Sequence, residues 1–141
     1  MTNQEMARLD FDRAEAIAGE ARQWVYQGRW NLAVRRSQEA VELALKAALR
    51  WAGLEVPHRH DVGGLLKRYQ HRFPAWFGER TAELAAISGW LRGERERSFY
   101  GDEESGLPPE MLYTEHDAAE ALEKAALVLN ACRQLLEGGG G

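Results

Sequence analysis

The chain predicts an all-α protein, an up-and-down antiparallel helical bundle of four long helices plus one short helix. Three observations carry that expectation. Apolar residues recur at spacings of three and four through long stretches, which is the period of a helix with one buried face. Nowhere does an apolar/polar alternation persist long enough to make a strand. Val, Ile and Thr are sparse against Ala, Leu, Glu and Arg, a balance that favours helix over sheet.

The first helix is expected to start at Thr2, whose hydroxyl can cap the amide of Glu5 while Glu5 reaches back, and to end near Gly28. Its seam is Ala7, Phe11, Ala14, Ala18, Ala21 and Val25, and so many alanines let a neighbouring helix approach closely. Asp10 falls near that face and reads as a solvated edge position. A second helix runs from Trp30 to Ala52 and stops at Gly53. On it Arg35, Glu39, Glu42 and Lys46 share an arc of about 60° at 100° per residue, while Val34, Val41, Ala44, Leu45 and Ala48 occupy the far side. A helix with so narrow a charged stripe is central, covered on more than half its circumference.

Pro57 forces Val56 out of the helical region, and Asp61 caps a short third helix through Val62, Leu65, Leu66 and Tyr69. Pro74 opens a fourth helix with Trp76, Phe77, Leu84, Ile87, Trp90 and Leu91 as its apolar positions. From Gly93 to Tyr113 periodicity disappears and Gly101, Gly106, Pro108 and Pro109 mark a long loop, of the kind that is usually functional or mobile. Thr114 with Asp117 caps the last helix, whose buried arc holds Ala118, Ala121, Leu122, Ala125, Val128, Leu129, Cys132 and Leu136. Residues 1–137 read as a single domain, followed by a flexible Gly tail over 138–141.

At 141 residues and 45% hydrophobic composition the chain can bury a core without metal or disulfide staples. A formal net charge of -4 argues against broad nonspecific nucleic-acid binding and leaves room for a local basic patch. The single cysteine excludes an internal disulfide, and Cys132 in mid-arc reads as a buried, inert thiol. No uncharged run exceeds eight residues, so no membrane span is expected, and Met1 to Asp12 carries acids where a secretion signal would carry bases; a cytoplasmic protein is expected.

Chemistry is most concentrated in Arg92, Arg95, Arg97, Tyr100 and Asp102, at the end of the fourth helix and the start of the loop. Guanidinium groups take phosphate oxygens in a bidentate fashion, and a tyrosine adds a stacking face or a hydroxyl donor. The rival reading pairs these arginines with Glu94, Glu96, Glu103 and Glu104 as a solvated charge run. His58 and His60 beside Asp61 lack the further converging ligands a zinc site needs, so a turn or capping role is expected, with no metal and no cofactor. His116, in the first turn of the last helix, reads as a surface residue. Glu42 and Lys46 make a favourably oriented pair one turn apart.

One ordered set of residues resembles a known family. Gln38, Ala40, Val41, Glu42, Lys46, Ala47, Gly53, Pro57 and His60, followed by the segment Arg95 to Asp102, are similar to the HEPN pattern (higher eukaryotes and prokaryotes nucleotide-binding): an Ala-rich helix, a Gly, a Pro-x-x-His and a later Arg-Tyr-Pro-Asp-like turn. The resemblance implies a nucleotide- or RNA-binding module in which Arg35, Gln38, Glu42 and Lys46 line a groove facing Arg92 to Asp102. The implied phosphate-binding set is Arg92, Arg95, Arg97, Tyr100, Lys46 and Gln38. It also implies a homodimer and a small nucleotidyltransferase as partner in a two-gene, toxin-antitoxin-like pair. Trp90, Phe99 and Tyr100 would then serve as a subunit interface or a base-stacking surface, with ordinary core packing as the alternative.

Many members of that family are metal-independent ribonucleases built on an Arg followed a few residues later by a His. This chain has no His between His71 and His116. A tyrosine hydroxyl, which titrates near ~10, is a poor general base at neutral pH. The resemblance therefore implies binding without the usual catalysis. A weak or unconventional ribonuclease using Arg95 or Arg97 with Tyr100 and Asp102 is one alternative, and a ligand-free protein-interaction bundle is another.

Overall fold

The computed structural model describes residues 1–56 and 61–138. It is all-α: α1 (Asn3–Tyr26), α2 (Trp30–Trp51), α3 (Val62–Arg68), α4 (Ala75–Gly78), α5 (Thr81–Gly93), α6 (Arg97–Tyr100), α7 (Pro109–Leu112) and α8 (Glu115–Gly138), with a 3-10 turn at Gln70–Arg72. Among the described residues the sole β-type pairing is an isolated bridge between Asp102 and Leu107. Among the described residues no helix is long and apolar enough to cross a membrane. Gly138 closes α8, whereas Pro57, His58, His60 and the rest of the expected Gly tail lie outside the described residues.

Local chemistry sets the ends of the long helices. Thr2 Oγ accepts from the Glu5 amide at 3.1 Å and Glu5 accepts from the Thr2 amide at 3.0 Å, so two orphan donors of α1 are satisfied reciprocally. Thr114 and Asp117 repeat the device at the start of α8. Both α1 and α2 stop at a glycine with positive φ, Gly28 at 73° and Gly53 at 81°. Beyond each glycine the chain turns back, with Arg29 N donating to Trp24 O at 2.8 Å and Leu54 N to Leu49 O at 3.0 Å.

α2 is central, as its narrow charged stripe predicts. It packs on α1 and α8 and also meets α3, α5, α6 and α7. Ala40, Ala44, Ala47 and Ala48 are fully buried beside Val41 and Leu45, so the helices approach with little side-chain bulk between them. At the C-terminal end of α2 the core turns aromatic: Trp51 stacks on Phe73 with centroids 6.3 Å apart, Phe73 meets Phe77 at 4.8 Å, and Trp76 stands edge-on to Phe77 at 5.6 Å.

Three local expectations are corrected. Asp10 is buried rather than solvated, and its carboxylate lies 2.9 Å from Arg50 Nε. The pairing spans α1 and α2, and the arginine offsets the cost of burying the carboxylate. The helix expected to run on from Pro74 breaks into α4 and α5. Thr81 Oγ1 donates to Gly78 O at 2.9 Å, and a Cβ on Gly78 would come within 2.9 Å of Gln70 O, so the chain must turn where it passes the 3-10 segment. The stretch from Gly93 to Tyr113 is not a continuous loop either; it contains α6, α7 and the Asp102–Leu107 bridge.

Candidate functional site

α6 lies against α2, and polar bonds rather than apolar packing hold it there. Asn31 Nδ2, buried, donates to Ser98 O at 3.2 Å; Ser98 Oγ turns back to Arg95 O at 3.0 Å. Arg35 Nη1 donates to the same Arg95 carbonyl at 2.9 Å, its Nε lies 3.3 Å from Glu39 Oε1, and its guanidinium lies 4.9 Å from the centre of the Phe99 ring, against its face. One arginine thus ties the charged stripe of α2 to the 93–102 segment and presents a cation beneath an aromatic face. Phe99 is 51% exposed and Tyr100 76%, with their rings edge-on at 5.0 Å.

Gly101 fixes how the segment leaves this face. Its φ of 89° is strained for any residue with a side chain, and a Cβ there would collide with the Leu107 carbonyl. That close approach lets Asp102 N donate to Leu107 O at 3.0 Å. Tyr113 pins the far end, donating its hydroxyl to Glu94 Oε2 at 2.6 Å. Burial first, and the carboxylate it bonds second, push the Tyr113 phenol well above its ordinary range.

The residues singled out by sequence divide accordingly. Arg95 and Arg97 are exposed on the segment, and Arg97 leans on Glu94 at 3.8 Å. Among the described residues no ion pair joins these arginines to Glu96, Glu103 or Glu104, so the solvated charge run forms only at Glu94. Arg92 is 3.4 Å from Asp61, the residue whose carboxylate caps α3 at the Gly63 amide. Asp102 is engaged within its own turn, accepting from Glu104 N at 3.3 Å and Ser105 Oγ at 3.0 Å. Lys46 is partly exposed, and the pair expected with Glu42 does not form: no carboxylate of the described residues, Glu42 included, lies within 4 Å of its ammonium. Gln38 departs from the expected groove lining: it is 2% exposed, inside the bundle, and neither end of its amide finds a hydrogen-bond partner among the described residues.

Trp90 stands away from this face, on the side of α5 toward α8. Asn31 and Tyr113 carried no signal as site residues, although Asn31 lies one turn before Arg35 on the same side of α2 and would emerge from extending that stripe backwards. Cys132 is fully buried as expected, and loss of water pushes its thiol up to about 12.

Arg95 and Arg97 thus put exposed positive charge on the same short segment as the exposed rings of Phe99 and Tyr100, the residue types that take phosphate oxygens and stack on planar rings. A family model described as the HEPN domain matches residues 7–135. Among solved structures, the crystal structure of an archaeal HEPN homologue superposes with a TM-score of 0.70 at 27% identity, covering 92% of this chain and 97% of that one. No curated protein matches. With the matched model spanning nearly the whole chain, the protein belongs to the HEPN family.

Proposed function

We propose that this chain is a nucleotide- or RNA-binding HEPN module acting as a homodimer in the cytoplasm, the non-nucleotidyltransferase partner of a two-gene, toxin-antitoxin-like pair. The observation that carries the binding reading is the seat of Arg35, fixed to Arg95 O at 2.9 Å beneath Phe99, with Arg95 and Arg97 exposed beside Tyr100. Phosphate oxygens would be taken by Arg95 and Arg97, with Lys46 adding charge along the stripe and Tyr100 stacking on a base. Arg92 contributes once its Asp61 partner is exchanged for phosphate.

Catalysis of the usual family kind is not part of the reading. No histidine follows these arginines at the family distance, and Asp102, the nearest carboxylate after Tyr100, is held by Glu104 N and Ser105 Oγ. Calorimetric titration with ATP, GTP and AMP, repeated on Arg95→Ala/Arg97→Ala, tests the binding claim: heat with the wild type and none with the variant is expected. Labelled RNA incubated with wild type, Arg97→Ala and Tyr100→Phe should stay intact in all three. Cleavage by the wild type alone would replace the binding module with a ribonuclease.

A further inference from the structure

The molecule carries a second exposed aromatic side chain in a quite different electrostatic setting. Trp90 is 37% exposed at the mouth of a cleft of about 580 Å³ between α5 and α8, within the size range of ligand-holding pockets. Its apolar lining comes from Ala86, Ile87 and Leu127 beside Trp90. Its rim is acidic on both walls, with Glu83 on α5 and Glu120 and Glu123 on α8.

The cleft already shows how it treats a cation. The Lys124 ammonium rests 4.9 Å from the centre of the Trp90 ring and 3.4 Å from Glu120 Oε1, so indole face and carboxylate act on it together. Glu83 lies 3.6 Å from Arg80, and Glu123 makes no ion pair among the described residues. With Glu83 paired to Arg80 and Glu120 to Lys124, Glu123 is the lining carboxylate left without an ion pair among the described residues, and its charge disfavours a phosphate there. The apolar lining selects against a bare metal ion or a wholly hydrophilic polycation, neither of which gains from covering Trp90 and Leu127.

We propose that the α5–α8 cleft docks a basic, apolar segment of a protein partner, with an aliphatic side chain on Ile87 and Leu127 and an arginine or lysine between Trp90 and Glu123. The proposal is independent of nucleotide binding at the α6 face. A half-exposed aromatic anchor is the kind of residue that concentrates binding energy at protein interfaces; here Lys124 already lies against Trp90, so an incoming cation takes its place beside the unpaired Glu123, and that charge sets the salt dependence.

The test uses the whole chain and a synthetic amphipathic peptide of leucine, alanine and arginine, with a control in which glutamate replaces each arginine. Calorimetry should show saturable, salt-weakened binding of the arginine peptide and none of the glutamate peptide. Trp90→Ala and Glu123→Lys, both at the surface, should each weaken it about tenfold with the helical circular dichroism unchanged, while Arg95→Ala/Arg97→Ala leaves it unaltered. Absence of binding, equal binding of both peptides, or equal affinity in Trp90→Ala overturns the proposal. So does light scattering that shows Trp90→Ala dissolving a self-association of the free protein, because the cleft would then hold a second copy.

Discussion

The α1–α2–α8 frame and the segment from Gly93 to Tyr113 lie side by side on α2, yet different forces hold them. The frame is joined by interdigitating apolar side chains, with Phe11, Leu45, Val128 and Leu135 all fully buried. In the segment the Tyr113 ring packs against the core, and the rest is fastened at separate polar points: Asn31 to Ser98, Arg35 to Arg95, Tyr113 to Glu94, and the glycine turn at 101. Apolar contacts grow with area and tolerate small shifts, whereas each polar tie depends on one donor and one acceptor. The frame should therefore set global stability, and the segment should set the geometry of the arginine face.

The largest expected effect is in the frame. Leu45→Ala empties a site that is 0% exposed, and should lower unfolding stability by about 3 kcal/mol, read from a denaturant midpoint, with phosphate affinity at low temperature little changed. A larger loss of affinity than of stability would break the contrast. Next is Gly101→Ala, which forces a side chain into φ 89° against the Leu107 carbonyl. Strain of about 2 kcal/mol should be relieved by opening the segment, speeding hydrogen exchange at residues 97–107 while the α2 and α8 amides stay protected.

Smaller still is Tyr113→Phe, which removes a half-buried bond to a carboxylate and should cost about 1 kcal/mol. Its pH dependence has a definite sign. The folded-state pKa of Tyr113 is raised above the unfolded value, so its contribution is complete below the ordinary tyrosine range, near ~10, and fades as pH climbs toward the raised value. Cys132 follows the same rule: its thiol, pushed up to about 12 from 9.0, stabilises the fold fully below pH 9 and loses that contribution above it. A thiol reagent at neutral pH should accordingly label Cys132 at the rate of frame opening in wild type and in Tyr113→Phe alike. Faster labelling in the variant would show that the segment shares the frame's cooperativity.

The same contrast explains what the sequence discloses. Caps at Thr2, Asp61 and Thr114 are local patterns of three or four residues, and all form. The buried arc of α2 follows from a period sustained over many turns, and that of α8 does so apart from Leu122 and Leu136, which are only partly buried while Leu135 is fully buried. Asp10 misled because its partner, Arg50, lies forty positions on and is brought near only by the hairpin of α1 and α2. α6 and α7 each span a single turn, too short for periodicity to register. At the face, the arginines of the segment and the stripe led by Arg35 were legible as charge. That the two face each other was implied by the family resemblance, but the contacts that join them were not legible, because they run through main-chain carbonyls at Arg95 and Ser98 that no side-chain pattern encodes.

The most direct measurement of the central claim is the affinity of labelled single-stranded RNA as a function of salt, for the wild type and for Arg95→Ala/Arg97→Ala. If both guanidinium groups meet phosphates, the variant should bind more weakly and its log–log salt slope should be shallower by about 1.4, at roughly 0.7 for each phosphate no longer neutralised. Equal affinity and an equal slope would contradict the assignment and place any nucleotide site elsewhere on the bundle.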